Sequence, residues 1–122
     1  KMECTSCHNP HGSPNDKMLI ATSVNETCYS CHSEKRGPYL WEHAPVMENC
    51  ANCHDPHGSN HEKLLKVPRP RLCQQCHPQQ HGGPLAKPGD PAQVRFVFNK
   101  ACNNCHFNLH GSNHPAGAFF TR

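Results

Sequence analysis

The chain has 122 residues, enough for one domain, and a formal net charge of +3. Leu, Ile, Val and Phe total 18 residues, about 15% of the chain, below the roughly 20% at which a chain builds a side-chain core. Composition therefore excludes an ordinary hydrophobic core, yet 10 Cys and 12 His supply residue types that bind metals and cofactors. No apolar run approaches a membrane span of ~20 residues and no leader opens the chain, which predicts a soluble protein, mature or trimmed.

One motif accounts for every cysteine in the chain. CXXCH occurs as CTSCH at 4–8, CYSCH at 28–32, CANCH at 50–54, CQQCH at 73–77 and CNNCH at 102–106. It is the attachment motif of c-type haem, because two thiols on one turn reach the porphyrin vinyl groups and the next His points at the iron. The predicted thioether residues are Cys4, Cys7, Cys28, Cys31, Cys50, Cys53, Cys73, Cys76, Cys102 and Cys105. The predicted proximal ligands are His8, His32, His54, His77 and His106.

Zinc sites and redox disulfides also use paired cysteines. Zinc takes cysteines in fours, which would leave two of the ten unpaired, and it needs no His after every second Cys. The sequence therefore predicts five covalently bound haem c groups, whose porphyrins replace the missing side-chain core. The predicted fold is a single domain over 1–122, mostly coil with short helices wrapped around a row of five haems, as in multihaem cytochromes c.

Seven further histidines compete for the sixth position on five irons. Among them His11, His57 and His110 recur three or four residues after a proximal His, and all five haems are predicted to be bis-histidine. The predicted distal ligands are His11, His43, His57, His81 and His110. His61 and His114 are left over, because the first repeat unit has no counterpart for them.

The spacing also predicts which haem two of these ligands serve. His11 lies three residues after its proximal His, and so short a chain hardly passes around a ring to the opposite face. We therefore expect His11 to ligate the haem of the second motif. By the same relation, His57 should ligate the haem of the fourth motif, which would tie the haems together in pairs.

The chain contains an internal repeat and little predicted secondary structure. Residues 4–32 align with 50–77, and a half unit at 102–117 closes the chain. Because Pro and Gly interrupt every stretch, helices should be limited to a turn or two at each motif, plus one short helix near Glu34 to Glu42. We expect a linker over Gly82 to Asp90 and an extended loop over Arg95 to Phe98. The aromatic residues expected to pack on porphyrins are Tyr29, Tyr39, Trp41, Phe96, Phe98, Phe107, Phe119 and Phe120.

The paired CHxPHGS…LL…CXXCH segments, HAPV at 43–46 and the terminal HGSNHPAG…FF resemble a known family. They are similar to the periplasmic multihaem cytochromes of the MtrA/DmsE type, the decahaem subunits of outer-membrane porin–cytochrome conduits, and to the pentahaem NrfB type, which donates electrons to cytochrome c nitrite reductase. The resemblance covers nearly the whole chain and implies closely spaced bis-histidine haems that conduct electrons. Five motifs rather than ten leave open a free pentahaem protein or the C-terminal half of a longer one.

Three classes of function compete. An electron carrier or conduit needs only six-coordinate haems, and we expect this class and no enzymatic activity. A multihaem reductase needs an iron with an open face, and the CXXCK motif of nitrite reductases is absent from the sequence. A haem filament built through stacked end haems stays an alternative.

Location and partners follow from the cofactor. Haem attachment outside the bacterial inner membrane predicts a periplasmic or extracellular protein. Its expected partners are redox proteins: a quinol-oxidising membrane cytochrome, an outer-membrane porin–cytochrome or a terminal reductase, with self-association through end haems as a further option. Nucleic acid is not expected, because five haems bring the net charge to about −2 oxidised and −7 reduced, and such a partner needs a clustered basic face. The only dense cations, Lys35–Arg36 and the KVPRPR run at 66–71, are expected to meet haem propionates.

Overall fold

The computed structural model describes residues 2–78 and 101–121. Within these residues the chain is mostly coil, as the sequence predicts. It forms three short α-helices, α1 (Val24–Tyr29), α2 (Ala44–Glu48) and α3 (Arg71–Gln74). Turns of 3-10 helix cover Cys4–Ser6, Asp16–Met18, Ser33–Lys35, Cys50–Asn52, Glu62–Leu64 and Cys102–Asn104. No helix of the described residues has the length and hydrophobicity needed to cross a membrane.

Local sequence explains where the first two α-helices begin. Ser23 caps α1, because its hydroxyl accepts a hydrogen bond from the Glu26 N–H at 3.1 Å. Helix α2 has a proline in its first turn, where the missing N–H has no helical partner to lose. The helix predicted near 34–42 is wrong: only the turn Ser33–Lys35 forms there, since Gly37 and Pro38 follow and the next helix starts at Ala44.

The described residues contain no extended strand, only isolated antiparallel bridges. They pair His8 with Leu19, His54 with Leu65 and Trp41 with Ser112. The first two bridges close loops of similar length in the two repeat segments. Both therefore fold a segment back onto the CXXCH motif that precedes it.

The contacts divide the chain into two compact units. The first consists of Lys1–Asn52 with His110–Ala118, and the second of Cys53–Leu109 with Phe119–Arg122. In the first unit, Trp41 and Ser112 exchange backbone hydrogen bonds of 2.9 and 3.0 Å. The Trp41 indole N–H also donates to the His114 carbonyl at 3.0 Å, and Ser112 is buried. The segment His110–Ala118 is therefore held against the stretch that precedes α2.

Side-chain burial is sparse among the described residues. Tyr29 and Leu65 are their only buried hydrophobic side chains, and no side chain is fully buried. Large apolar side chains are exposed instead, Phe119 by 69% and Phe107 by 60%. With so few buried side chains, these exposed apolar surfaces need an apolar cofactor or partner to cover them.

Some sequence predictions lie outside the described residues. They are the distal ligand His81, the linker Gly82 to Asp90 and the extended loop Arg95 to Phe98 with its two phenylalanines.

Candidate haem-binding sites

Each CXXCH motif forms a single tight turn. The histidine N–H donates to the carbonyl of the first cysteine of its motif at 2.9 Å for His8, His32, His77 and His106. The third motif begins with the 3-10 turn Cys50–Asn52. None of the ten cysteines is in a disulfide. Two thiols and an imidazole on one turn are the groups that haem c requires.

The first proximal imidazole is oriented by the backbone. His8 Nδ1 donates to the Lys17 carbonyl at 2.7 Å. A carbonyl oxygen only accepts hydrogen bonds, so Nδ1 carries the proton and the lone pair of Nε2 is left for a metal. This tautomer is the one that a haem iron binds.

A left-handed turn aims this carbonyl at the ring. Lys17 and Met18 both have a φ of 55°, a region that costs a residue with a side chain about 1–2 kcal/mol. Three hydrogen bonds hold the turn: the Asn9 N–H donates to Met18 O at 2.8 Å, the Ile20 N–H to Cys7 O at 3.0 Å, and the Ser13 hydroxyl to Leu19 O at 2.7 Å. The surrounding loop therefore stabilises a backbone conformation that the residues themselves disfavour.

The same construction recurs 46 residues later. His54 Nδ1 donates to the Lys63 carbonyl at 2.8 Å, and Lys63 and Leu64 have φ values of 56° and 54°. The Asp55 N–H donates to Leu64 O at 2.8 Å, and the Ser59 hydroxyl donates to Leu65 O. The first and third motifs thus present their imidazoles in the same way.

The fifth motif reaches the same result with a longer loop. His106 Nδ1 donates to the Phe119 carbonyl, 13 residues away rather than nine. Phe120 has a φ of 55°, and its carbonyl accepts from the Asn108 N–H at 3.0 Å. Three proximal histidines therefore share one tautomer.

The second motif places a different group beside its imidazole. His32 Nδ1 lies 3.7 Å from Glu34 Oε1, and the same oxygen lies 3.9 Å from Lys35 Nζ. Both the imidazole and the carboxylate are more than half exposed, so solvent screens the pair.

Thiols from successive motifs cluster within the first unit. The pKa of the Cys28 thiol is raised to about 11, first by burial, then by the neighbouring thiol of Cys50 and, less strongly, by that of Cys7. The pKa of Tyr29, one of the few buried side chains, is also raised, first by burial and then by Cys50. The first cysteines of the second and third motifs are therefore neighbours.

The second unit contains the corresponding cluster. The pKa of the Cys73 thiol is raised to about 11, first by burial, then by the neighbouring thiol of Cys102 and, less strongly, by that of Cys53. The first cysteine of the fourth motif thus lies beside the first cysteine of the fifth.

The remaining histidines differ in their surroundings. His11 and His57 are exposed, and their N–H groups donate to Asn9 Oδ1 and Asp55 Oδ1, each at 3.1 Å. His43 is half-buried at the N-cap of α2, and His110 is half-buried.

A backbone N–H also sets the tautomer of His114, which the sequence analysis does not assign as a distal ligand. The Ala116 N–H donates to His114 Nδ1 at 3.1 Å. The neutral ring then carries its proton on Nε2, which removes the lone pair that an iron would need there.

The described residues provide no cluster that holds a metal by side chains alone. Across residues 2–78 and 101–121, no three His, Cys, Asp or Glu side chains are grouped for that purpose. A haem iron needs only two protein ligands, because the porphyrin supplies the other four. The donor set of thiols and Nδ1-protonated imidazoles fits haem c.

Sequence reasoning missed the residues that orient the imidazoles. The carbonyls of Lys17, Lys63 and Phe119 do so, and a backbone acceptor leaves no residue-type signature. Lys17 and Lys63 occupy equivalent positions in the internal repeat, 46 residues apart. This match indicated that the two residues are equivalent, but it did not indicate that their carbonyls orient the histidines.

Comparison with known proteins agrees with this chemistry. A family model described as the doubled CXXCH motif matches residues 1–37 and 43–82. The multiheme cytochrome MtrA of Shewanella baltica (strain OS185) is 56% identical over 131 aligned residues, which cover all of this chain and 38% of that protein. The chain thus spans well under half the length of this curated relative. It belongs to the doubled CXXCH motif family and is a multihaem c-type cytochrome of the MtrA type.

Proposed function

We propose that the chain carries electrons along five closely spaced bis-histidine haem c groups, one on each CXXCH motif. It works as a periplasmic or extracellular carrier or conduit that exchanges electrons with other redox proteins, among them outer-membrane porin–cytochromes. When bound, each haem supplies a reversible one-electron change of its iron. The polypeptide anchors, ligates and orients these groups.

The observation that supports the proposal most strongly is the repeated tautomer of the proximal histidines. His8, His54 and His106 each have Nδ1 committed to a backbone carbonyl. A carbonyl that accepts from Nδ1 makes Nε2 a stronger donor to iron and fixes the ring plane. Strong imidazole donation lowers the potential of the iron, and a second histidine on the same iron makes it six-coordinate and low-spin, as the carrier proposal requires.

The distal ligands complete the proposal. His11 serves the second haem and His57 the fourth, while His43, His81 and His110 serve the other three. Two weak electrostatic interactions support the first pair of assignments. Cys7 lies near enough to Cys28, and Cys53 near enough to Cys73, to raise the pKa of that thiol, so each unit brings the two motifs of a pair together. The Nε2 proton of His114 favours His110 in the terminal segment.

Haem number and ligation are testable on the purified protein. Intact mass and the pyridine haemochrome should give five covalent haems per chain. Optical and EPR spectra should show only low-spin iron, and the dithionite-reduced protein should not bind carbon monoxide. Fewer haems would contradict the cofactor assignment, and carbon monoxide binding to one haem in five would indicate an open iron and a reductase.

Location and transfer need separate measurements. The mature protein should be recovered haem-loaded from the periplasm or the medium, and it should reoxidise rapidly when mixed with an oxidised redox partner. Haem-loaded protein recovered from cytoplasm without the attachment machinery would contradict the location. A single monomer peak on sizing chromatography would argue against the filament.

A further inference from the structure

One buried asparagine links the second motif to the third. Asn25 lies in α1, and its side-chain N–H groups donate to Val46 O at 2.9 Å and Met47 O at 3.0 Å. Its Oδ1 accepts from the Cys50 N–H at 2.7 Å. All three hydrogen bonds run to residues more than 20 positions away, and Asn25 is only 8% exposed.

The position of Asn25 on its helix relates this clamp to a thioether residue. Asn25 and Cys28 are three residues apart in α1, so they lie on the same face. Helix α1 also packs against the turn that begins at Cys50. The clamp therefore brings Cys28 and Cys50, the first cysteines of two successive motifs, to one place.

We propose that the second and third haems meet at the edges attached to Cys28 and Cys50, and that Asn25 is the positioning residue that holds these edges together. The proposal rests on the proposed attachment of one haem to each motif. In a haem-loaded chain each of these sulfurs carries a porphyrin edge, so neighbouring sulfurs mean neighbouring edges. Exchange of electrons between redox centres slows steeply as their edges separate.

The second unit offers an internal reference. Cys73 and Cys102 are neighbours as Cys28 and Cys50 are, since in each pair the two thiol side chains lie within hydrogen-bond reach of one another. Pro70 stands three residues before Cys73, where Asn25 stands before Cys28, and a proline side chain forms no hydrogen bond. Loss of Asn25 should therefore affect only the first pair.

The test is proton NMR of the reduced, diamagnetic holoprotein with assigned thioether protons. We expect a nuclear Overhauser cross-peak between the thioether groups of Cys28 and Cys50, and another between those of Cys73 and Cys102. N25A should lose the first cross-peak and keep the second. The matched control is N52A, because the Asn52 side chain also donates to the α2 backbone, to Pro45 O at 3.0 Å, and its hydrogen bonds run to α2 rather than to α1. N52A should keep both cross-peaks.

The outcomes separate the inference from the proposed function. Fewer than five low-spin haems in the unaltered protein would contradict the function itself. Five low-spin haems without a cross-peak between Cys28 and Cys50 would overturn only the edge contact, and a cross-peak that persists in N25A would overturn the role of Asn25. Should N25A fail to load haem, N25D replaces it: the carboxylate still accepts from the Cys50 N–H but cannot donate to Val46 and Met47, so the cross-peak should weaken.

Discussion

Replacement of Gly111 by alanine tests how the terminal segment is held in the first unit. A β-carbon at Gly111 would overlap Cδ2 and Cγ of Tyr39 and lie 2.8 Å from its Cε2. The Tyr39 hydroxyl donates to Glu34 O at 2.7 Å, so the ring is not free to swing away without losing that bond. Gly111 also has a φ of +142°, which a residue with a side chain rarely adopts.

The two penalties have separable magnitudes. The backbone conformation costs alanine about 1–3 kcal/mol. Overlap with the ring adds about 1–3 kcal/mol, as overpacking of a filled site does. G111A should therefore lower the free energy of unfolding by about 2–6 kcal/mol.

Gly58 is the matched control. It has a φ of +136° in an equivalent HGS segment, but a β-carbon there would have no atom within 4 Å. G58A should therefore show only the backbone penalty, about 1–3 kcal/mol.

The assay is guanidinium unfolding of the haem-loaded proteins, followed by circular dichroism and the Soret band. In a Y39A background, the cost of G111A should fall to that of G58A, because the overlapping ring is gone. Equal costs for G111A and G58A in the unaltered background would refute the contact between Gly111 and Tyr39.

Three further predictions address the cofactors. Alanine at all ten cysteines should give a chain without a cooperative thermal transition by circular dichroism, because only two hydrophobic side chains of the described residues are buried; a cooperative transition would reveal a polypeptide core. H11A should convert one haem in five, that of the second motif, to a high-spin form that binds carbon monoxide, whereas H61A should leave the spectrum unchanged; a change at the first haem would refute the pairing. E34Q should raise the reduction potential of the second haem by roughly 10–40 mV, the equivalent of 0.2–1 kcal/mol for an exposed pair, because the carboxylate 3.7 Å from His32 stabilises the oxidised iron. Redox titration measures this shift. K35M removes a positive charge and should lower the same potential, which checks the sign.

Sequence reasoning reached the cofactor chemistry because that chemistry is local. Two thiols and an imidazole within five residues form one turn, and no tertiary contact is needed to recognise it. The mostly coil fold followed from the amino-acid composition, since few aliphatic residues and many prolines disfavour long helices. The helix expected near 34–42 failed because two adjacent residues, Gly37 and Pro38, outweighed the helix-forming residues around them.

By itself, the sequence determined the haem family, and it predicts the five attachment motifs and the proximal ligands, because each is encoded within a few consecutive residues. Only the tertiary structure decided which backbone carbonyls orient the proximal rings, which thiols become neighbours and that Asn25 joins α1 to the third motif. The physical reason is that a carbonyl acceptor is common to every residue. Which one faces a given imidazole depends on left-handed turns and on contacts between segments distant in sequence.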